Sequence, residues 1–107
     1  MKVRVPSVGG ILISDDKVFI IHAKSCNKWT FPKVHVKPDD DMVERAKDSF
    51  KPYLDIALDE PENVWQIKST TYYVWMVDNS EELRSIDEVL QMPCNRDVKA
   101  FCKLVKK

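Results

Sequence analysis

The chain has 107 residues, of which 44% are hydrophobic and 32% charged. That is enough apolar material for one compact domain spanning residues 1–107, and it excludes a disordered chain. Lysine plus arginine and aspartate plus glutamate number 17 each. No global field therefore draws the chain to nucleic acid, and any RNA contact has to come from a local basic patch.

Met1 to Pro6 alternates Val3 and Val5 with Lys2 and Arg4, a short strand pattern that Pro6 ends. Gly9 and Gly10, the only glycines, precede Ile11, Leu12 and Ile13. A continuous apolar run of this kind predicts a strand buried on both faces, with the glycines where backbone packs closely. Asp15 and Asp16 make a turn, and Lys17 to Ala23 forms the second strand of a hairpin. Lys24 to Lys28 is a polar loop. From Trp29 to Val36 the chain is extended, with Trp29 and Phe31 on one buried face.

Asp41 and Glu44 form a capping box, so a helix begins near Asp41. Val43, Ala46 and Phe50 fall on one apolar stripe of it. Pro52 lacks a backbone N–H and disfavours helix at Lys51, so this helix should stop early. Leu54 to Leu58 is irregular, and Asp59 to Asn63 is a turn.

Val64 to Lys68 and Thr70 to Val77 are strands, the second rich in β-branched and aromatic residues. Alternation puts Tyr72, Val74 and Met76 on one face and Tyr73, Trp75 and Val77 on the other. Ser85 and Glu88 make a second capping box, opening a short helix that reaches Leu90 or Gln91 before Pro93. Asn95 caps a terminal helix with Val98, Phe101, Cys102 and Val105 on its buried stripe, and Arg96, Lys99, Lys103 and Lys106 opposite.

The segment Trp29, Phe31, Pro32, Lys33, His35, Val36 and Pro38 resembles the entry to the Nudix signature, Trp-x-Leu-Pro-Lys-Gly-His-x-x-x-Gly-Glu. The opening hairpin and the element order are also similar to that family. The resemblance implies a small α/β (α+β) fold, an α/β/α sandwich around a mixed sheet. Family members hold magnesium with glutamates in Arg-Glu-x-x-Glu-Glu, which share one helix face at i, i+3 and i+4. The metal neutralises a diphosphate and polarises the attacking water.

With Pro38, Ala46 and Phe50 as anchors, the first glycine of the pattern falls on Val34 and the isolated glutamate on Asp40. The arginine falls on Asp48, and the three glutamates on Ser49, Pro52 and Tyr53. Only Asp40 keeps a carboxylate in its place, and the chain has no Arg-Glu pair in any register. Glu44 and Asp48 remain as nearby acids. A degenerate box of this kind implies no metal, no cofactor and no catalysis, and so a binding protein rather than an enzyme. The partners it implies are a nucleotide, RNA or a ribonucleoprotein such as the ribosome. Two alternatives are a weak magnesium-dependent hydrolase of a nucleoside diphosphate-linked or dinucleoside polyphosphate substrate, using Asp40, Glu44 and Asp48, and a protein-interaction subunit without a nucleotide ligand.

For ligand binding, the residue types point to Lys33, His35 and Lys37 as a basic lip for phosphate, with Trp65 and Tyr73 as a stacking surface for a base. Cys26, Cys94 and Cys102 form no CxxC pair and, with His22 and His35, no zinc spacing. They read as reduced thiols in a cytoplasmic protein. No apolar run reaches membrane-spanning length, and the first residues lack a signal-peptide core.

Overall fold

A computed structural model describes residues 6–24, 27–54, 56–78 and 82–105. The N-terminal strand expected over Met1 to Pro6, together with Cys26 and Lys106, lies outside the described residues except for Pro6. The elements run β1 (Ser7–Ser14), β2 (Lys17–Val18), β3 (Ile21–Ala23), β4 (Lys28–Thr30), β5 (Lys33–His35), α1 (Met42–Asp48), β6 (Asn63–Ile67), β7 (Thr70–Met76), β8 (Arg84–Ser85), α2 (Ile86–Leu90) and α3 (Arg96–Val105). The chain divides into two compact units, Met1–Ile11 with Pro32–Trp75, and Leu12–Phe31 with Met76–Lys107.

In the first unit, β7 lies between β6 and the first half of β1, and β5 pairs antiparallel with β1. Val8 to Leu12 are all buried, as the unbroken apolar run predicts. The two glycines in β1 are there for space. A Cβ on Gly10 would clash with the edge of the Phe50 ring and lie 3.1 Å from Trp75, and one on Gly9 would strike the Pro32 carbonyl and lie 2.9 Å from the Tyr72 ring. Phe50 and Trp75 meet edge to face at 6.0 Å, and the Trp75 indole N–H donates to the Asp59 carbonyl at 2.9 Å. That bond ties the irregular segment before β6 to β7.

α1 starts where its capping box predicts, with Asp41 Oδ1 accepting the Glu44 N–H at 3.2 Å. It ends at Asp48, and the chain continues in turns through Tyr53. Pro52 cannot donate to the ladder, so the helix closes before it. Ala46 and Phe50 are buried beneath it, while Val43 is half-buried.

In the second unit, β2 pairs with the end of β1 and with β8, and β3 pairs with β4. The single strand expected over Lys17 to Ala23 is therefore two, with buried Phe19 and Ile20 between them. A uniformly apolar run does not record where its hydrogen-bond partner changes. Ser85 caps α2 through the Glu88 N–H at 3.1 Å, and Asn95 Oδ1 accepts the Val98 N–H at the start of α3. Val98, Phe101 and Cys102 are buried, with Phe101 edge-on to Phe31 at 5.7 Å. Val105, expected on that stripe, is 37% exposed because the helix end outruns the core.

The sheet is mixed. Hydrogen bonds from Ser7 N–H to the Ser69 carbonyl and from Val77 N–H to the Ile13 carbonyl show β1 and β7 rising together, whereas the other ladders are antiparallel. No helix among the described residues is long and apolar enough to cross a membrane.

Candidate functional site

The candidate site lies where β5 leaves the sheet and turns into α1. Val34, at the pattern's first glycine, is paired with Val8 inside the ladder. Its β-branched side chain suits that extended backbone. Lys37-Pro38-Asp39-Asp40 then forms a tight turn. The Asp40 N–H donates to the Lys37 carbonyl at 3.0 Å, and the Lys37 N–H donates to Asp40 Oδ2 at 2.9 Å. Proline at the second turn position presets the required φ.

This turn aims Asp40 at α1, where Arg45 is the hub of the charged cluster. Its Nε is 3.5 Å from Asp40 Oδ2, its Nη1 is 3.4 Å from Asp48 Oδ2, and its Nη2 donates to the His35 carbonyl at 3.0 Å. One planar guanidinium thus joins strand, loop and helix, which a lysine could not do with the same geometry. The buried Nε makes no hydrogen bond within the usual limits. Lys51 Nζ approaches Asp48 Oδ1 at 2.8 Å. The Lys51 hydrogen bond, opposed in part by burial and helped by Arg45, holds the Asp48 carboxyl below its ordinary value. Glu44 pairs with Lys47 at 3.3 Å.

Each of the acids Asp40, Glu44 and Asp48 therefore already has a cationic side chain beside it. Ser49, at the pattern's first catalytic glutamate, is buried and donates its hydroxyl to the Ala46 carbonyl at 2.6 Å. Pro52 and Tyr53 are exposed. Among the described residues no group of three or more histidine, cysteine, aspartate or glutamate side chains is placed to hold a metal ion. The donor set does not fit the magnesium site that the fold family implies.

Lys33, His35 and Lys37 are all exposed. Lys33 and His35 project from the same face of β5, opposite Gly9 and Ser7, and His35 Nδ1 is 3.5 Å from Ser7 Oγ. Trp65 and Tyr73 do not form one stacking surface. Trp65 is opposite Tyr72 in the β6–β7 ladder and stacks on it at 5.8 Å, whereas Tyr73 is opposite Val64 and so belongs to the other face. Trp29, the first residue of the motif, is a structural anchor of the second unit, with Arg84 4.8 Å over its ring and His22 edge-on at 5.3 Å. The sequence pattern puts Arg45 facing outward or toward the old site but gives it no partner. Its position five residues after Asp40 and three before Asp48 was the available signal.

No family model matches the sequence, and no curated protein is similar to it in sequence. Solved structures do match. The C. elegans Ap4A hydrolase is 14% identical, with 97% of each chain covered and a TM-score of 0.72. A mutT/nudix family protein from Listeria innocua is 14% identical over 98% of this chain and 93% of its own, with a TM-score of 0.66. A bifunctional NMN adenylyltransferase/ADP ribose pyrophosphatase from Francisella tularensis is 12% identical over 100% of this chain and 42% of its own, also with a TM-score of 0.66. The chain thus has a Nudix-type α+β fold. The expectation of a non-enzyme is overturned by two of these neighbours, one a hydrolase and one a bifunctional enzyme with a pyrophosphatase activity. It rested on the degenerate signature.

Proposed function

We propose that the chain is a hydrolase of a nucleoside diphosphate-linked or dinucleoside polyphosphate substrate. The observation that carries this reading is the end-to-end likeness, 97% of both chains, to a protein of that activity. The loop-to-helix turn supports it, because it places Asp40, Glu44 and Asp48 with Arg45, Lys47 and Lys51 along one short stretch.

In the reaction a water oxygen bonds to a phosphorus, the anhydride P–O bond breaks with its electron pair leaving on the departing nucleoside phosphate, and the proton lost by the water passes to solvent. Polyphosphate charge is met by exposed Lys33, Lys37 and Lys51, and Asp48, kept ionised by Lys51, accepts a hydrogen bond from water. Without a metal-polarised nucleophile the chemistry is slow.

The test is incubation of the purified chain with diadenosine tetraphosphate, with and without magnesium, and separation of the products. Slow turnover, reduced about tenfold or more in Asp48→Asn, is the expected result. Turnover no faster than in buffer overturns the reading. A second reading, binding of RNA or nucleotide phosphate, is favoured by the exposure of Lys33, His35 and Lys37 at alternate positions. It predicts salt-sensitive RNA binding that weakens in Lys33→Ala and Lys37→Ala.

A further inference from the structure

Basic side chains on the helices are of two kinds. In and just after α1, Arg45, Lys47 and Lys51 each have a carboxylate beside them. On α3, Arg96, Lys99 and Lys103 are exposed, and among the described residues none of the three is in an ion pair. Their spacing puts them on one strip about 10 Å long. Ala100 and Leu104 complete that solvent face, and Asp97 lies at its border, half-buried. Over residues 96–107 the sequence has five basic residues against one acidic, in a chain whose total charge is zero.

This strip works against its own helix. Arg96 with Lys99, and Lys99 with Lys103, are like-charge neighbours at i,i+3 and i,i+4, an arrangement that weakens a helix. Arg96 is also the first residue of α3, where the helix dipole favours an acid. Among the described residues no carboxylate relieves the repulsion, whereas an external polyanion would relieve all of it.

We infer that the solvent face of α3 docks the phosphate backbone of a nucleic-acid duplex through Arg96, Lys99 and Lys103. Each strand of a duplex carries a phosphate about every 3.4 Å along the axis, so the strip spans about three of them. Single-strand binding adds aromatic side chains on which bases stack, and this face has none. Protein interfaces are depleted in lysine and anchored by aromatic residues, so a protein partner fits poorly. A membrane surface needs an apolar face to insert, but Val98, Phe101 and Cys102 are already buried in the core. Contacts of this kind reach phosphate alone, so RNA and DNA duplexes bind alike. Docking does not require hydrolysis of a nucleotide.

Fluorescence anisotropy of labelled RNA and DNA duplexes of mixed sequence, titrated with the whole chain at several salt concentrations, tests this. Affinity falls with salt at a log–log slope of about −2.7, as three phosphate contacts require. Lys99→Gln and Lys103→Gln each flatten the slope by about 1, and the triple variant with Arg96→Gln removes the binding. Arg96→Glu separates docking from folding. It weakens binding while the melting temperature rises, because an acid suits the helix start and the repulsion is gone. Absence of binding to either duplex at low salt overturns the inference, as does binding that the triple variant retains. A preference of about tenfold or more for RNA over DNA also overturns it, since the sugar is then being read. So do an Arg96→Glu variant that melts below the parent, and capture of anionic vesicles or polyglutamate in place of the duplexes.

Discussion

Arg45 and Asp40 meet at 3.5 Å across the turn that joins β5 to α1, and the same guanidinium reaches Asp48 at 3.4 Å. The family pattern places its arginine at position 48. This chain carries an aspartate there, and Arg45, one helical turn earlier, ties that aspartate to Asp40. Arg45→Gln is expected to lower stability by roughly 1–2 kcal/mol, because it loosens a half-buried pair and a bond to the His35 carbonyl. It also leaves Asp40 and Asp48 without their shared cation. Magnesium should then raise the melting temperature of the variant and leave that of the parent unchanged, a comparison that thermal denaturation with and without the ion makes directly.

Acid should act on Asp48. Its folded pKa lies below the ordinary 3.8, chiefly through the Lys51 hydrogen bond. A depressed carboxyl contributes stability above its unfolded value and loses it as pH falls through the lowered one. Asp48→Asn should therefore lower stability at pH 7, and the gap to the parent should close as the pH falls below about 4, as pH-dependent urea titration will show.

Gly10→Ala should be costly for its size. The new methyl would enter the space of the Phe50 ring and crowd Trp75. About 1–3 kcal/mol of destabilisation is expected from overpacking, read as a lower midpoint in chemical denaturation. The Phe50→Leu, Gly10→Ala double variant should recover part of the loss if the clash is local.

Two thiols should be silent in the native protein. Burial pushes the Cys102 thiol up to about 11, with neighbouring Cys94 adding to the shift, and burial also raises Cys94. Both are free and buried. Neither should react with a thiol reagent at pH 8 until denaturant is added, and the reactive thiol count should then rise by the two.

The elements whose cause is local were readable in advance. Asp41, Ser85 and Asn95 each start a helix through a bond to a nearby N–H, and Pro52 stops one, because a side chain acts on its own backbone within a turn. Elements that depend on distant partners were not. The run from Lys17 to Ala23 splits because β2 joins β1 and β8 while β3 joins β4. Trp65 and Tyr73 separate because a ladder register, invisible in composition, sets their faces. The partners of Arg45, a residue expected to face outward or toward the old site, were not legible because side-chain pairing on a helix depends on where the preceding loop aims its acid. The Nudix-type scaffold was visible in the motif around Pro32, whereas the absent ligands pointed to a non-enzyme, an expectation that the hydrolase neighbours contradict.

The bond from the Trp75 indole to the Asp59 carbonyl has one more consequence. Its proton is shielded only while the irregular stretch ahead of β6 stays docked. Its deuterium exchange, followed by NMR beside the amides of β7, would report the opening of that stretch separately from global unfolding. The protein thus carries its own gauge of how often the chain around Asp59 lifts away.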